Sequence, residues 1–171
     1  EGYMGGNANR DPLGWNPWIA HIAAVNHLFE ITGYSSPGSN ILVSAFGAGE
    51  GATPGICTTT FGGKYDCEFN GTSAATPQAA AVGLMIKQAG DQVGKKLSPI
   101  DLYYILAKTA VIVDETKEVA SGFLNKKYNN YSVNKAGYRH SVNYGFGVIN
   151  AAKATAMAQD SDYKPLPKLK S

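Results

Sequence analysis

The stretch FNGTSAATPQAAAVGLMIKQAG, Phe69 to Gly90, decides how the rest of the chain is read. Gly71, Thr72 and Ser73 stand before an apolar run, and Pro77 lies four residues beyond Ser73. From Ala79 to Ile86 every residue is Ala, Val, Gly, Leu, Met or Ile. A helix here is apolar all round and is expected to be buried on every side. One reading is an ordinary helix start with Thr72 or Ser73 as its cap. The other is a nucleophile. N–H groups at a helix start have no partner inside the helix and gather partial positive charge around Ser73. An oxyanion formed when the Ser73 hydroxyl attacks a carbonyl would meet the N–H of Ser73 itself. A preorganised donor of this kind is worth roughly 3–4 kcal/mol in acyl transfer. Pro77 favours the nucleophile, because it cannot donate a hydrogen bond to the Ser73 carbonyl, a cost a plain structural helix has little reason to accept. Small residues at 71, 74 and 75 leave room for a substrate backbone.

Bulk properties narrow the alternatives. A chain of 171 residues suggests one domain with a real core. The net charge of +2 is too weak to argue for nucleic acid or an anionic membrane, and no basic stripe is interleaved with aromatics. Only 16% of residues are charged and 20 are glycine, a mix that suits a loop-rich secreted or periplasmic protein. No apolar run reaches about 18 residues, so no membrane span is expected. The opening residues EGYMGG have neither the basic start nor the apolar core of a signal peptide. Cys57 and Cys67 are too few for a zinc site. They read as two unlinked thiols or as a local disulfide, and Gly62 and Gly63 favour the disulfide by letting the loop between them turn back.

Along the chain, residues 1–18 read as loop, and WIAHIAAV (18–25) and NILVSAFG (40–47) as buried strands separated by the turn region GYSSPGS (33–39). Residues 47–66 read as a long Gly/Thr loop, of the length that is usually functional. LSPIDLYYILAKTA (97–110) reads as a helix with Ser98 as cap, Pro99 in first position, and Ile100, Tyr103, Tyr104 and Ala107 as its apolar stripe. Residues 114–143 are polar and read as loop or hairpin, and 143–158 as a glycine-marked turn into a last helix. QDSDYKPLPKLKS (159–171) reads as a tail or linker.

The segment NGTSAATPQAAAVGLMI resembles the serine motif of the subtilisin-like serine proteases. GYSSPGSNILVSAFGAGE resembles the strand and loop that precede that serine, LSPIDLYYILAKTA the helix that follows it, and NYGFGVINAAKA the closing segment. The cysteine-bearing loop and SVNYGFGVINAAKA are most similar to the kexin/furin-type branch and its bacterial relatives. The resemblance covers residues 18–158. It implies an α/β, three-layer fold with a mostly parallel sheet. Residues 1–158 would form the C-terminal portion of the peptidase domain and 159–171 a tail. It also implies a secreted serine endopeptidase acting through an acyl-enzyme on Ser73, with Thr72, Gly71 and Asn70 as motif support. Asn70-Gly71-Thr72 is formally a glycosylation sequon, but beside a nucleophile it reads as part of the motif.

A catalytic triad needs a base and a carboxylate besides the serine, and in this superfamily the chain order is Asp, His, Ser. His21, His27 and His140 stand in no such context and read as structural or surface residues. The Asp and His, and an oxyanion-hole asparagine placed at or just before Glu1, are therefore expected from an N-terminal half of the same domain. That half is the first expected partner. Protein or peptide substrates, and a propeptide or inhibitor, are the others. No cofactor is firmly expected from this chain. The calcium that furin-type enzymes hold beside the substrate pocket finds only Glu1 and Asp11 here, with Ser35 and Ser36 where that branch has Ser-Glu, so calcium is expected mainly from the missing half. Asp11 matches an aspartate that reads a basic side chain before the scissile bond, and equally reads as a turn residue ahead of Pro12. The alternative to an enzyme is a non-catalytic scaffold of the same fold that binds peptides or a partner protein.

Overall fold

The protein is described by a computed structural model over residues 6–48, 54–115 and 131–167. Two short apolar runs form the parallel pair at its centre, β1 (His21–Val25) and β2 (Ile41–Phe46). Ala23, Ala24, Val25, Val43 and Ala45 are buried, as expected of parallel strands covered on both faces. The ladder continues past β2. The Ser44 N–H donates to the Gly147 carbonyl, the Ile149 N–H to the Ser44 carbonyl, and Val148 exchanges both backbone hydrogen bonds with Val111.

From Ile56 onward the expected loop over 47–66 is instead a hairpin, and residues 49–53 lie outside the described residues. β3 (Ile56–Thr60) and β4 (Lys64–Phe69) pair antiparallel around a turn in which Gly62 and Gly63 have φ of 73° and 70°. Runs of β-branched threonine favour extended backbone, and glycine allows the left-handed tip. The Cys57–Cys67 disulfide staples the two strands, and β4 is exposed along its length. A second, smaller hairpin pairs β5 (Ser132–Val133) with β6 (Arg139–His140).

The helix of the opening stretch, α1 (Thr72–Gln92), packs on β1 and β2. Its N-cap is Gly71, with no side-chain cap, so neither Thr72 nor Ser73 plays that part. Nor is it buried on every side. Ala74, Ala75, Ala79, Val82, Gly83, Ile86, Ala89 and Gly90 are buried, while Ala80, Ala81, Leu84 and Met85 are exposed, Leu84 by 71%. Among the described residues the sheet and the other helices cover one face only.

α2 (Pro99–Thr109) starts as expected, with a capping box between Ser98 and Asp101. Its inward face is turned, however. Asp101, Ile105, Leu106 and Thr109 are buried, and the expected stripe of Ile100, Tyr103, Tyr104 and Ala107 is only half-buried. α3 (Ala151–Gln159) is capped by the Asn150 side chain. The three helices meet β2 in one core built from Val43, Val82, Ile86, Ile105, Leu106 and Ala154. On the other side of the sheet, Val25 and Val148 pack with Tyr131 and Tyr144, whose rings stack.

The buried Asp101 carboxylate explains the turn of α2. One oxygen accepts from the Ser98 N–H (2.8 Å) and hydroxyl (2.6 Å), and the other from the Tyr163 hydroxyl (2.6 Å) and the Leu166 N–H (2.7 Å). Tyr163 is itself part of the core and stacks on Tyr104. Lys95 adds hydrogen bonds to the carbonyls of Ala158 and Asp160. The residues after α3 are thus strapped to the start of α2 as far as Leu166.

Burial works to raise the pKa of Asp101, but the hydrogen bonds from Ser98, Tyr163 and Leu166 outweigh it and hold the carboxyl below its ordinary value. A depressed folded-state pKa contributes stability that is present above the unfolded value, near 4, and is lost as pH falls through the folded value. Asp101→Ala is expected to lower the unfolding free energy by about 2–3 kcal/mol at neutral pH. It should also flatten the acid limb of the stability profile, as read by denaturant melts from pH 7 down to pH 3. An unchanged acid limb would show that Asp101 carries none of it.

Candidate active site

The backbone around residue 71 is dictated by two glycines. Gly71 has φ of 91° and ψ of 174°, a region that side chains other than glycine's rarely adopt. Gly47 ends β2 and has no room for a Cβ, which would lie 2.6 Å from the Ala24 Cβ and 2.8 Å from the Gly71 carbonyl oxygen. The Gly47 N–H donates to Val25 (2.9 Å), and its carbonyl accepts from the Gly71 N–H (2.8 Å). The start of α1 is therefore bonded directly to the end of the parallel pair.

Ser73, the second residue of α1, is exposed. The N–H groups of Ala74 and Ala75 turn back to the Gly71 carbonyl. Among the described residues, those of Thr72 and Ser73 have no carbonyl partner. They are the free positive end of a helix of 21 residues. Pro77 lies within the helix, opposite the Ser73 carbonyl. Side chains bond the carbonyls on either side of it: the Thr76 hydroxyl donates to the Thr72 carbonyl (2.8 Å), and the Gln78 amide to the carbonyls of Ala74 (2.9 Å) and Phe46 (2.6 Å). Asn70, the remaining motif residue, is exposed, with its amide on the Glu68 carbonyl. An exposed hydroxyl beside two unpaired N–H groups can attack a carbonyl and hold the resulting oxyanion.

A cavity of about 510 Å³ lies alongside, lined by Asp11, His21, Tyr34, Ser35, Thr72 and Thr76 among others. Asp11 lines this cavity, and one carboxylate oxygen accepts the Leu13 N–H (2.9 Å), capping the turn that begins at Pro12. Ser35 is engaged elsewhere, its hydroxyl accepting from the Ala24 N–H. Among the described residues no group of three or more His, Cys, Asp or Glu is close enough to hold a metal ion. Glu1 lies outside the described residues.

None of the three histidines hydrogen-bonds Ser73 among the described residues. His140 Nε2 is bonded to the Ile41 carbonyl (2.9 Å) with its ring edge-on to Phe146. His21 is half-buried in β1, with Nε2 enclosed and unpartnered. His27 is exposed in the turn after β1. Sequence reasoning missed Tyr34 and Gln78, whose polar ends reach the backbone on either side of Ser73. Gln78 sits five positions past Ser73 as an isolated polar residue ahead of the apolar run, which was the available signal.

Comparison with known proteins gives a consistent result. The model of the Subtilase family (Peptidase S8) matches residues 5–148. The chain is 31% identical to an extracellular serine protease of Aeromonas sobria, over 95% of this chain and 31% of that protein. It is 29% identical to a dibasic-processing endoprotease of Schizosaccharomyces pombe, over 93% of this chain and 20% of that protein. It is similar to a crystal structure of the Aeromonas sobria protease in complex with a chaperone, with a TM-score of 0.80, 28% identity, and coverage of 95% of this chain and 32% of that chain. The chain thus spans about a third or less of the length of these relatives. The α/β arrangement described above is a part of the subtilisin-like fold.

Proposed function

Because the chain belongs to the subtilase family, we propose that it is the serine-bearing, C-terminal portion of a secreted serine endopeptidase, with Ser73 as the nucleophile. The observation that carries this reading is the exposed Ser73 hydroxyl at the uncapped positive end of α1, next to the unpaired N–H groups of Thr72 and Ser73. In the reaction, Ser73 Oγ bonds to the substrate carbonyl carbon and its proton passes to a histidine. The oxyanion rests on the Ser73 N–H, and collapse breaks the C–N bond as the histidine returns the proton to the amine. Water then releases the acyl group by the same steps. Thr72, Gly71 and Asn70 shape the turn. Secretion is supported by the Cys57–Cys67 disulfide and by the extracellular relative.

The triad histidine and aspartate, and a further oxyanion donor, belong in this reading to a segment of the same domain outside these residues. Ala80, Ala81, Leu84 and Met85 on α1 support a covering segment. An adjoining apolar groove of about 300 Å³, lined by Ile22, Ala79, Gly83, Leu84, Leu102 and Tyr103, supports it too. Soluble domains seldom leave such a face uncovered. Calcium is assigned to that segment rather than to these residues. Residues 1–158 are the peptidase portion, and those beyond are a tail whose first part Asp101 straps down. The chaperone bound by the Aeromonas sobria protease supports a similar accessory or propeptide partner.

In the intact protein, a fluorophosphonate probe is expected to label this chain once, and Ser73→Ala to abolish labelling. Turnover should fall by roughly a millionfold, the size of loss seen when the nucleophile of such a triad is removed. Labelling that survives Ser73→Ala would overturn the assignment. An intact, folded protein that the probe ignores would point to the peptide-binding scaffold instead.

Asp11 is proposed to favour a basic side chain before the cut, because a carboxylate in a cavity wall left without a cationic partner disfavours neutral substrates. Cleavage profiling of a peptide library should show the basic preference weakened at least tenfold in Asp11→Asn. An unchanged profile would leave Asp11 as the cap of its turn alone.

A further inference from the structure

Tyr34 lies 37 residues before Gly71 in the chain, yet its hydroxyl reaches the backbone of the serine turn. The phenol oxygen is 2.5 Å from the Gly47 carbonyl, 2.5 Å from the Ala48 carbonyl and 3.2 Å from the Gly71 nitrogen. A phenol has one proton and accepting lone pairs. Its proton is therefore shared between the two carbonyls at the end of β2, while its oxygen accepts from the Gly71 N–H. The Gly71 N–H in turn divides between the phenol and the Gly47 carbonyl, which accepts it at 2.8 Å. Three strands of backbone converge on one hydroxyl.

Each of these strands is fixed for a separate reason. The Tyr34 segment is stitched to β1, since the Thr32 N–H and hydroxyl donate to the Ala24 carbonyl and the Ser35 hydroxyl accepts the Ala24 N–H. The ring packs against the cluster of Ala24, Ala45 and Ala75. Ala48 holds a φ of 63°, a left-handed conformation that is unfavourable for a residue with a side chain and persists only where its surroundings enforce it. Gly71 sets the direction of the first helical turn through its own positive φ. The hydroxyl is thus the link between a rigid wall of the cavity, where Tyr34 and Ser35 stand, and the turn that aims Ser73.

We propose that Tyr34 is a positioning residue for the reaction: its phenol locks Gly71 to the end of β2 and so holds the Ser73 N–H and hydroxyl in the geometry that acyl transfer requires. Losing it leaves Gly71 on one hydrogen bond and relieves Ala48 of the contact at its carbonyl. The turn then samples orientations in which oxyanion and N–H no longer align, while the cavity that binds substrate keeps its walls. The expected signature is a fall in turnover with binding retained. This inference rests on the reading of Ser73 as the nucleophile.

The test uses the intact protein with Tyr34→Phe, which removes the hydroxyl and keeps the packed ring, alongside Ser73→Ala. Rates are normalised to folded molecules by near-UV circular dichroism and to active sites by titration. For Tyr34→Phe, kcat and the second-order rate of fluorophosphonate labelling should each fall about tenfold, with KM within about twofold of the parent. Hydrogen exchange at the Gly71 amide should accelerate by a similar factor. Parental kcat and labelling rate in Tyr34→Phe, with labelling abolished by Ser73→Ala, would overturn the Tyr34 proposal and leave the nucleophile standing. A loss that disappears on normalisation to folded molecules would overturn it as well. Labelling that survives Ser73→Ala would overturn the nucleophile itself.

Discussion

A single backbone hydrogen bond, from the Gly71 N–H to the Gly47 carbonyl, fixes where the serine helix begins. It can form only because neither residue carries a side chain. Gly47 has no space for a Cβ, and Gly71 has a φ that disfavours one. With these two points joined, α1 leaves the end of the parallel pair at a set angle and lays Ala74, Ala75, Ala79, Val82 and Ile86 into the core. The same junction leaves the helix uncapped by any side chain, so its first N–H groups stay available. Stability of the junction and the reactivity proposed for Ser73 would follow from one arrangement.

That arrangement is anchored well on one side only. Val43, Ile86, Ile105, Leu106 and Ala154 fill the space between sheet and helices, and Asp101 pins the chain after α3 to the start of α2. The opposite face of α1 keeps Leu84 and Met85 in solvent, at 71% and 44% exposure. Covering such side chains contributes up to about 2 kcal/mol each, so a segment that completes the domain would gain stability from the same helix that presents Ser73. In the proposed reading, assembly of the fold and assembly of the active site would be one event.

The glycines, the hydroxyls and the apolar run made α1, Ser73 and the surrounding strands legible in the sequence. The features that were misread depend on long-range contacts. The hairpin of β3 and β4 reads as loop because Gly47, Gly49, Gly51 and Gly55 lead into it and Gly62 and Gly63 interrupt it, although Thr58, Thr59 and Thr60 carry the strand signal. The apolar pattern points the inward face of α2 at Ile100, Tyr103, Tyr104 and Ala107. Asp101 is buried instead because Tyr163 and Leu166, more than 60 residues later, supply its hydrogen bonds. No local pattern announces that pairing, since an aspartate at that position also reads as a plain capping residue. Tyr34 was visible only as part of a turn, because its partners are backbone atoms at 47, 48 and 71.

The most direct measurement is peptide-level mass spectrometry of the intact protein after inactivation by a set of peptidyl chloromethyl ketones, reagents that alkylate the histidine of a working triad once the serine has added to their ketone. The predicted alkylation falls on a histidine that is none of His21, His27 or His140, and is lost in Ser73→Ala. Alkylation of one of those three histidines would contradict the proposal that the base lies outside these residues. Alkylation that persists at the parental rate in Ser73→Ala would contradict the assignment of Ser73 itself.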